Sequence, residues 1–436
     1  MTNNTICPIP WIHLGIQQNG DLRQCCQMIS SPHGKFFDQA GKAIKFDKEN
    51  IDTIQNHPSL KKIRKEMIEG QKPAACNLCW TEESDGITSK RQHMLQIYPI
   101  SEHLSNTSAD GTVTEHNLKY IDLRLGNLCN LKCRSCGPSD SSLWVDDYAT
   151  LNQVDNRASL NYYNSHRYDL IKTHKGWQID SNDFNWHENP NFHTWLETKI
   201  TNGLDRIYFT GGEPTINKQH LKILNRIIEL SSASNITLEY NTNMVAIPPS
   251  LLDLWKHFKS INIGASIDAT GTLAKYIRYP GRWQDVEKNC DMIGYSQIHQ
   301  LRGGIATTVS ILNIRHFLEL TKWVINKNYN NFDRFPSWHV LHGPEYLNIQ
   351  ALPLHVKHEI SIEYQDFYAW ITKNYGQTMG QNLEKYYSGI ISFMFEKDLS
   401  HKLVELAFAT KNLDKLRNES LAIQLPWLHD ILKDLS

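Results

Sequence analysis

The feature that most constrains the fold is an alternation of short apolar runs with amphipathic helical patterns after Lys119. Each run is long enough for a buried strand, and the segments between them repeat apolar residues at helical spacing, as at Phe317, Leu320 and Val324. Strands separated by helices pair in parallel through right-handed crossovers, so the pattern predicts an α/β fold. The predicted strands are Tyr120–Leu125, Arg206–Thr210, Thr237–Asn241, Asn262–Ser266, Gly304–Ser310 and Trp338–Leu341.

A loop carrying three cysteines follows the first of these strands. Cys129 and Cys133 are separated by three residues, and Cys133 and Cys136 by two. Three thiols packed this tightly cannot all pair as disulfides, and they form three corners of a tetrahedral metal or cluster site. Most of the nine cysteines of the chain lie in such groups, which in a cytosolic protein favours ligation over disulfides.

A second group of cysteines precedes the predicted strands. Cys7 and Cys25 lie at the outer ends of a predicted hairpin, so their sulfurs can converge. Cys76 and Cys79 supply two further thiols from one turn, and Cys26 is the alternative to Cys25. Four cysteines suit a structural zinc ion as well as an iron-sulfur cluster, and their spacing alone leaves both interpretations open.

Glycine and polar residues follow the ends of several predicted strands, where ligands bind in parallel sheets. The second strand ends in Gly211-Gly212-Glu213-Pro214, a turn whose glycines let a ligand approach the backbone and whose proline begins a helix. Ser266 and Asp268 point to one face at the mouth of the fourth strand, and Arg278 can bind a carboxylate. Each feature also has a structural interpretation, as a tight turn, a strand-end cap or a surface pair.

The three-cysteine loop and the Gly-Gly-Glu-Pro turn together resemble the signatures of the radical S-adenosylmethionine (radical SAM) enzymes, and the turn matches at all four positions. The resemblance implies a partial (β/α)6 TIM-like barrel. It implies that a 4Fe-4S cluster is held by Cys129, Cys133 and Cys136, and that its open iron binds S-adenosylmethionine. The residues implied to contact the cofactor are Gly211, Gly212, Glu213, Pro214, Asn241, Asn243, Ser266, Asp268 and Arg278.

One position departs from that family. Ser135 stands where a large apolar residue often covers the adenine, so the adenine must pack elsewhere, for example on Leu131 or on a residue of the fifth or sixth strand.

The upstream cysteines resemble those of the SPASM and twitch types of radical SAM enzyme, in which a hairpin ending Gly-x-x-x-x-Cys precedes a two-residue-spaced pair. Gly20 to Cys25 matches that ending, which makes Cys25 the favoured ligand and Cys26 the spare. The resemblance implies one auxiliary 4Fe-4S cluster, held by Cys7, Cys25, Cys76 and Cys79. In those families the cysteines usually follow the barrel, whereas here they precede it.

These assignments divide the chain into four segments. They are a small N-terminal α+β auxiliary-cluster domain at residues 1–95, a linker at 96–117, the barrel at 118–345 and a helical C-terminal region at 346–436.

Within the barrel, an aromatic-rich insertion at residues 142–200 is interpreted either as a wall or lid over the substrate or as an extra helical layer. Near the predicted mouth, His342, Glu345 and Tyr346 are candidates for an acid, a base or a radical relay. Cys290 has the spacing of a buried helix face and is predicted to be a core thiol.

The composition and the net charge of the chain indicate whether it binds nucleic acid or a membrane. The net charge of −1 gives no field that would gather nucleic acid or acidic lipid. No run approaches the roughly 18 apolar residues of a membrane span, and the first residues lack a signal-peptide pattern. The sequence therefore predicts a cytoplasmic protein without a membrane partner, and it does not indicate a nucleic-acid partner.

The resemblance implies an oxidoreductase-like enzyme that reductively cleaves S-adenosylmethionine to a 5'-deoxyadenosyl radical and abstracts a hydrogen atom from its substrate. The electron would come from an external donor such as flavodoxin or ferredoxin. Enzymes with such auxiliary clusters often oxidise or crosslink peptides and proteins, which makes that the favoured substrate class. Radical dehydrogenation or rearrangement of a small molecule is the alternative, and a zinc-stapled non-catalytic binding protein is the interpretation from a different class.

Overall fold

The computed structural model describes residues 4–28, 34–46, 51–84, 88–115, 117–154, 169–174 and 176–435. The chain divides into two compact units. Unit 1 consists of Met1–Asn127, Asn182–Tyr240 and Pro248–Asn262, and unit 2 consists of Leu128–Ser181, Asn241–Ile247 and Ile263–Ser436.

Helices and strands are numbered in chain order. The strands are β1 (His13–Ile16), β2 (Leu22–Arg23), β3 (Tyr120–Leu123), β4 (Leu170–Thr173), β5 (Gly176–Ile179), β6 (Arg206–Phe209), β7 (Thr237–Thr242), β8 (Ser260–Ser266), β9 (Leu301–Val309) and β10 (Ser337–Val340). The helices are α1 (Ile9–Ile12), α2 (Pro58–Ile68), α3 (Asn77–Ser84), α4 (Lys90–Ile97), α5 (Ser101–Ser105), α6 (Trp144–Val154), α7 (Pro190–Thr201), α8 (Lys218–Glu229), α9 (Pro249–Trp255), α10 (Gly271–Ile277), α11 (Trp283–Gly294), α12 (His316–Lys327), α13 (Leu354–Tyr375), α14 (Gln377–Glu396), α15 (Leu403–Arg417), α16 (Leu421–Gln424) and α17 (Pro426–Leu432).

The sheet of unit 1 has the strand order β2-β1-β3-β6-β7, in which β1, β3, β6 and β7 run parallel. One face of these strands is apolar, because Leu14, Ile121, Ile207 and Leu238 alternate with polar neighbours and are at most 2% exposed. Burying an aliphatic side chain of this size contributes about 1.5–3 kcal/mol. This face therefore forms the hydrophobic core of unit 1.

The opposite face of the same strands is polar and largely buried. The register aligns Asp122 with Tyr208 and Tyr208 with Glu239, so their side chains point to one side. His13 places Nε2 3.2 Å from Asp122 Oδ1 and Nδ1 3.0 Å from the carbonyl oxygen of Gln24. Both ring nitrogens can donate only in the imidazolium form. Although burial opposes it, the Asp122 carboxylate accordingly raises the pKa of His13.

The predicted hairpin is present, with Gly15 paired to Arg23 and Ile16 to Leu22. Strand β1 also pairs in parallel with β3, from His13 opposite Tyr120 onward, which the sequence did not indicate. This pairing joins a strand of the predicted auxiliary domain to a strand of the predicted barrel. The predicted linker contains helix α5, and the boundaries near residues 95 and 117 stay predictions.

Unit 2 contains the strand order β8-β9-β10, with β10 parallel to β9, and the helices α10 to α17. Helices α13 and α14 bury Tyr364, Ile371, Leu383 and Tyr387 completely, so the C-terminal region has its own apolar core. The predicted α/β class and the helical C-terminal region are confirmed. A search of the described residues finds no helix long and apolar enough to cross a membrane.

Four aromatic residues of the predicted insertion are buried, whereas Trp177, Phe184 and Trp195 are half-buried. In unit 2, Trp144 and Tyr148 are fully buried on α6. In unit 1, Trp186 and Phe192 pack around Phe46, with ring centroids 5.9 and 5.4 Å away. These contacts favour the extra layer over the lid. Tyr162, Tyr163 and Tyr168 of the insertion lie outside the described residues.

Acid stability is expected to depend on His220. This residue of α8 is fully buried, its Nε2 lies 3.0 Å from the Tyr240 hydroxyl, and burial lowers its pKa to about 3. An unfolded histidine has a pKa of about 6.5, so only the unfolded chain binds this proton between those two values. The free energy of unfolding should therefore fall by about 2 kcal/mol between pH 6.5 and pH 5 through this residue.

Urea unfolding of the wild type and of His220→Gln at several pH values tests this expectation. The glutamine can still hydrogen-bond to Tyr240 but does not titrate, so the variant should show the shallower acid slope. Equal slopes would mean that His220 does not contribute to the acid sensitivity.

Candidate active site

The three-cysteine loop lies in unit 2 and is held by the segment that follows α10. The backbone N–H of Lys132 donates to the carbonyl of Tyr279 at 2.6 Å, and that of Arg134 donates to the carbonyl of Ile277 at 2.9 Å. These two backbone hydrogen bonds fix the course of the loop on either side of its second cysteine, Cys133.

The thiols of this loop are shielded from solvent to different extents. Cys133 is buried, whereas Cys129 and Cys136 are half-buried. A hydrogen bond from Cys136 lowers the pKa of Cys133 against the effect of burial, and the Arg278 guanidinium acts in the same direction. A cation near a thiol favours the thiolate, which is the form that binds iron. The donor set therefore fits a thiolate-ligated cluster.

A cavity of about 300 Å³, including its open mouth, lies beside the loop within unit 2. Leu131 of the loop lines it, and so does Asn243, whose Nδ2 lies 4.0 Å from Cys129 Sγ. Four of the predicted cofactor-binding residues meet in this lining, Asn243, Ser266, Asp268 and Arg278. Asn241 is exposed and is not among the lining residues. Apolar walls with a few polar groups suit a ligand that has both a ring system and charged groups.

Asp268 is the centre of the polar contacts in this cavity. Its Oδ2 accepts from Arg278 Nε at 2.7 Å, and its Oδ1 accepts from the backbone N–H of Thr308 at 2.9 Å. Asp268 is buried, so this ion pair is shielded from water and holds the guanidinium in a fixed direction. Arg278, which was expected to reach a ligand carboxylate, is thus already oriented by a carboxylate of the protein.

Thr308 and His339 were missed by the sequence reasoning. They lie opposite each other in the β9–β10 register, and the Thr308 hydroxyl is 2.9 Å from His339 Nε2. His339 is exposed on β10, and partial desolvation lowers its pKa, so the ring is neutral at pH 7 and can accept or donate one proton. The available signal was the alternation of side chains along the last two predicted strands.

The Gly-Gly-Glu-Pro turn lies in unit 1. Gly211 and Gly212 have φ values of +73° and +55°, which favour glycine. Glu213 is 1% exposed, and its side chain accepts hydrogen bonds from the backbone N–H and hydroxyl of Thr215 at 3.2 and 2.7 Å. The glutamate therefore caps the short helical turn that Pro214 begins.

Replacing Gly211 by alanine should destabilise the protein. A Cβ at Gly211 would lie 2.7 Å from Arg124 Cβ, whereas a Cβ at Gly41, which has a similar φ of +77°, would meet nothing within 4 Å. We expect Gly211→Ala to lower the free energy of unfolding by about 2 kcal/mol more than the control Gly41→Ala. Urea unfolding measures the difference, and equal losses would show that the Arg124 contact is relieved at no cost.

The upstream cysteines surround a separate cavity within unit 1, of about 430 Å³ including its open mouth. Cys7, Cys25, Cys76 and Cys79 line it, together with Lys90, Arg91 and several apolar residues. Cys26 is not in this lining. The residues predicted to ligate an auxiliary cluster thus face one space, although they come from three separate parts of the chain.

Burial controls the ionisation of these thiols. It raises the pKa of Cys7 and Cys79, and it raises the pKa of Cys76 to about 12. Such thiols keep their protons at neutral pH, and a bound metal would displace them. No group of three or more His, Cys, Asp or Glu side chains within the described ranges is already drawn together around a metal position. The donor chemistry therefore fits a metal or cluster, whereas the ligand geometry is not preformed.

The remaining candidates lie in different surroundings. His342 packs against Phe393 with ring centroids 5.2 Å apart, and Glu345 pairs with Lys402 at 3.3 Å. Tyr346 is 3% exposed, in the core of the C-terminal region. Cys290 is fully buried on α11, which confirms its interpretation as a core thiol.

Comparison with known families identifies the class of this protein. Residues 123–324 match the family described as the radical SAM superfamily, and this range includes the three-cysteine loop, the Gly-Gly-Glu-Pro turn and Arg278. The chain therefore contains a radical SAM domain at these residues, which make up somewhat less than half of its length. It is an enzyme that uses S-adenosylmethionine and a 4Fe-4S cluster, and enzymes of this class need an electron donor.

Similarity to individual proteins is weak. A sequence comparison with curated proteins finds no match. Streptococcus suis SuiB bound to S-adenosylmethionine is 14% identical, with a TM-score of 0.37 over 84% of this chain and 70% of that chain. AnSMEcpe with bound AdoMet is 15% identical, with a TM-score of 0.37 and 66% of each chain covered. TYW1 with a lysine-pyruvate adduct bound is 13% identical, with a TM-score of 0.31 over 59% of this chain and 74% of that chain. Similarities at this level do not indicate a substrate.

Proposed function

We propose that this radical SAM enzyme abstracts a hydrogen atom from a peptide or protein, which is thereby oxidised or crosslinked. The observation that carries the proposal is the three-cysteine loop of unit 2 with the adjacent cavity that contains Asp268 and Arg278. Leu131 and Asn243 connect these two features, because both line the cavity. Leu131 follows Cys129 in the loop, and Asn243 Nδ2 lies 4.0 Å from Cys129 Sγ.

In this proposal Cys129, Cys133 and Cys136 hold the cluster. Its fourth iron and the cavity receive S-adenosylmethionine, which supplies hydrogen-atom abstraction after one-electron reduction by a donor such as flavodoxin or ferredoxin. Arg278, oriented by Asp268, binds the carboxylate of the cofactor, and Ser266 and Asn243 contact its ribose. Leu131 covers the adenine in place of Ser135. The apolar walls keep water away from the reacting atoms.

The Gly-Gly-Glu-Pro turn is proposed to bind the amino group of the cofactor on the strength of its sequence. The two glycines leave the backbone of the turn open to a ligand, and their positive φ values exclude most other residues. The buried Glu213 gives the turn a fixed shape through its contacts with Thr215.

The upstream cavity is proposed to hold an auxiliary 4Fe-4S cluster on Cys7, Cys25, Cys76 and Cys79. Cys25 lines this cavity and Cys26 does not, which supports Cys25 as the fourth ligand. Such a cluster can accept the electron that remains on a substrate after hydrogen abstraction, or can ligate the substrate. The resemblance to SPASM and twitch enzymes is what favours a peptide or protein substrate over a small molecule.

Anaerobic purification with metal analysis, a visible spectrum and a cleavage assay tests the proposal. We expect roughly eight irons as two 4Fe-4S clusters, broad absorption near the blue, and release of 5'-deoxyadenosine on reduction. Colourless protein containing only zinc would contradict the proposed enzyme.

The substrate class requires a different measurement. The genes beside this one should include a short open reading frame, and co-expression with this enzyme should change the mass of its peptide product. An unmodified peptide, together with turnover of a small molecule by the same preparation, would instead support the small-molecule alternative.

A further inference from the structure

Helix α15 of the C-terminal region and the residues just after it contact the three-cysteine loop through charged side chains within unit 2. Arg134, which lies between the second and third cysteines, donates from Nη2 to Asp414 Oδ1 at 2.5 Å and to Glu419 Oε2 at 2.9 Å. The Tyr276 hydroxyl donates to the same Asp414 oxygen at 2.9 Å. The end of α15 is therefore part of the support of the cysteine loop.

Arg417, the last residue of α15, is buried in the same region. The residue is 6% exposed, and its Nε donates to Asp147 Oδ2 at 2.9 Å. Its guanidinium carbon lies 4.7 Å from the ring centroid of Trp144 and 5.2 Å from that of Tyr279. Both terminal nitrogens are buried, and neither has a hydrogen-bond partner in the part of the chain that the structure describes. Buried donors without a partner are rare and call for an explanation.

Each neighbour of Arg417 also holds the loop at its second cysteine. Trp144 Nε1 donates to the carbonyl oxygen of Cys133 at 2.8 Å. Asp147 Oδ1 accepts from Lys132 Nζ at 2.5 Å, and the Tyr279 carbonyl accepts from the Lys132 backbone. Arg417 thus contacts Trp144, Asp147 and Tyr279, and each of these residues holds the loop at Lys132 or Cys133.

At Asp147 the neighbouring cations outnumber the carboxylate. Asp147 is shared by Lys132 and Arg417, so two cations face one carboxylate at this point. A cluster with thiolate ligands is anionic and gains a further negative charge when it is reduced. A fixed cation near it stabilises the reduced form more than the oxidised form.

We propose that Arg417 is a positioning residue that holds the cysteine loop from the C-terminal helix and raises the reduction potential of its cluster. This inference rests on the proposed ligation of the cluster by Cys129, Cys133 and Cys136. It assigns the C-terminal region a role in the chemistry of the barrel, and it explains why an arginine with unpaired donors is buried beside the loop.

The test compares Arg417→Gln, which removes the charge, with Arg417→Lys, which keeps it. Arg226→Gln, which breaks an exposed ion pair with Glu197, is the control for loss of an arginine. The readout is a redox titration of the anaerobic holoenzyme, following the electron paramagnetic resonance signal that changes when S-adenosylmethionine is added. Only a cluster with an open iron should respond in this way.

We expect Arg417→Gln to lower the ratio of reduced to oxidised cluster roughly tenfold at a fixed solution potential, which corresponds to about 59 mV for one electron. Arg417→Lys should stay close to the wild type, and Arg226→Gln should match it. A wild-type ratio in Arg417→Gln would overturn the proposal. If Arg417→Gln loses the cluster, the Arg417→Lys variant decides the question. A cluster that Arg417→Lys retains with the wild-type ratio of reduced to oxidised form supports the role of the charge. Loss of the cluster in Arg417→Lys overturns the proposal. Wild-type protein without a responsive signal would overturn the proposed function itself, and this inference with it.

Discussion

Replacing Cys129, Cys133 and Cys136 by alanine is expected to remove about half of the iron, roughly four of eight atoms, and all cleavage of S-adenosylmethionine. Without these thiolates no iron is left with an open position for the cofactor. Release of 5'-deoxyadenosine on reduction should therefore fall at least a hundredfold, to the background of the assay, as expected when a group essential to the chemistry is removed. Iron analysis and chromatographic measurement of 5'-deoxyadenosine give both quantities from one anaerobic preparation.

Cys290→Ala is the matched control, because Cys290 is buried in the core of unit 2 and lies on a helix rather than on the loop. It should keep its iron and its cleavage activity, with at most a small loss of stability. Retention of full iron by the triple variant would contradict the assignment of these three cysteines. Equal losses in the triple variant and in Cys290→Ala would point to general instability.

Replacing Cys76 and Cys79 by alanine should remove the other half of the iron and leave measurable cleavage of S-adenosylmethionine. These two cysteines line the cavity of unit 1, whereas the three-cysteine loop belongs to unit 2. The two ligand sets are separate, so loss of one should spare the other. The visible absorbance should fall by about half, while 5'-deoxyadenosine is still released on reduction.

The same double variant separates iron from zinc at this site. If the cavity of unit 1 holds zinc, wild-type protein should contain roughly four irons and one zinc, and the variant should lose the zinc alone. If the triple and double variants behave alike in both iron content and cleavage, the model of two independent clusters loses its support. Cys26→Ala is the control, since Cys26 does not line the cavity and should be dispensable for ligation.

The hairpin near the N-terminus shows how far local patterns reach. Its turn and its strand alternation are local features, so the pairing of β1 with β2 could be predicted. The parallel pairing of β1 with β3 could not be predicted, because it joins residues about a hundred positions apart. Parallel strands are not connected by a short turn that the sequence would reveal. The buried pair of His13 and Asp122 follows from this pairing and was missed for the same reason.

The candidate site shows the same division. Cys129, Cys133 and Cys136 were identified from spacing, since three ligands close together in sequence must be close in space. Asp268 and Arg278 were identified from their place at a strand end, but their ion pair was visible only in the structure. Arg417 carried no local signal, because a single arginine on a regular element is most often a surface or packing residue.

The sequence by itself determined the α/β class, the strands that carry the motifs and the cysteines that can ligate a cluster. These properties depend on periodicity and on spacing over a few residues, which the backbone geometry of strands and turns converts directly into structure. Only the tertiary structure decided that Cys25 and not Cys26 faces the upstream cavity, and that Arg417 contacts Trp144, which holds the loop at Cys133. Those facts depend on the packing of segments far apart in the chain, which no local pattern encodes.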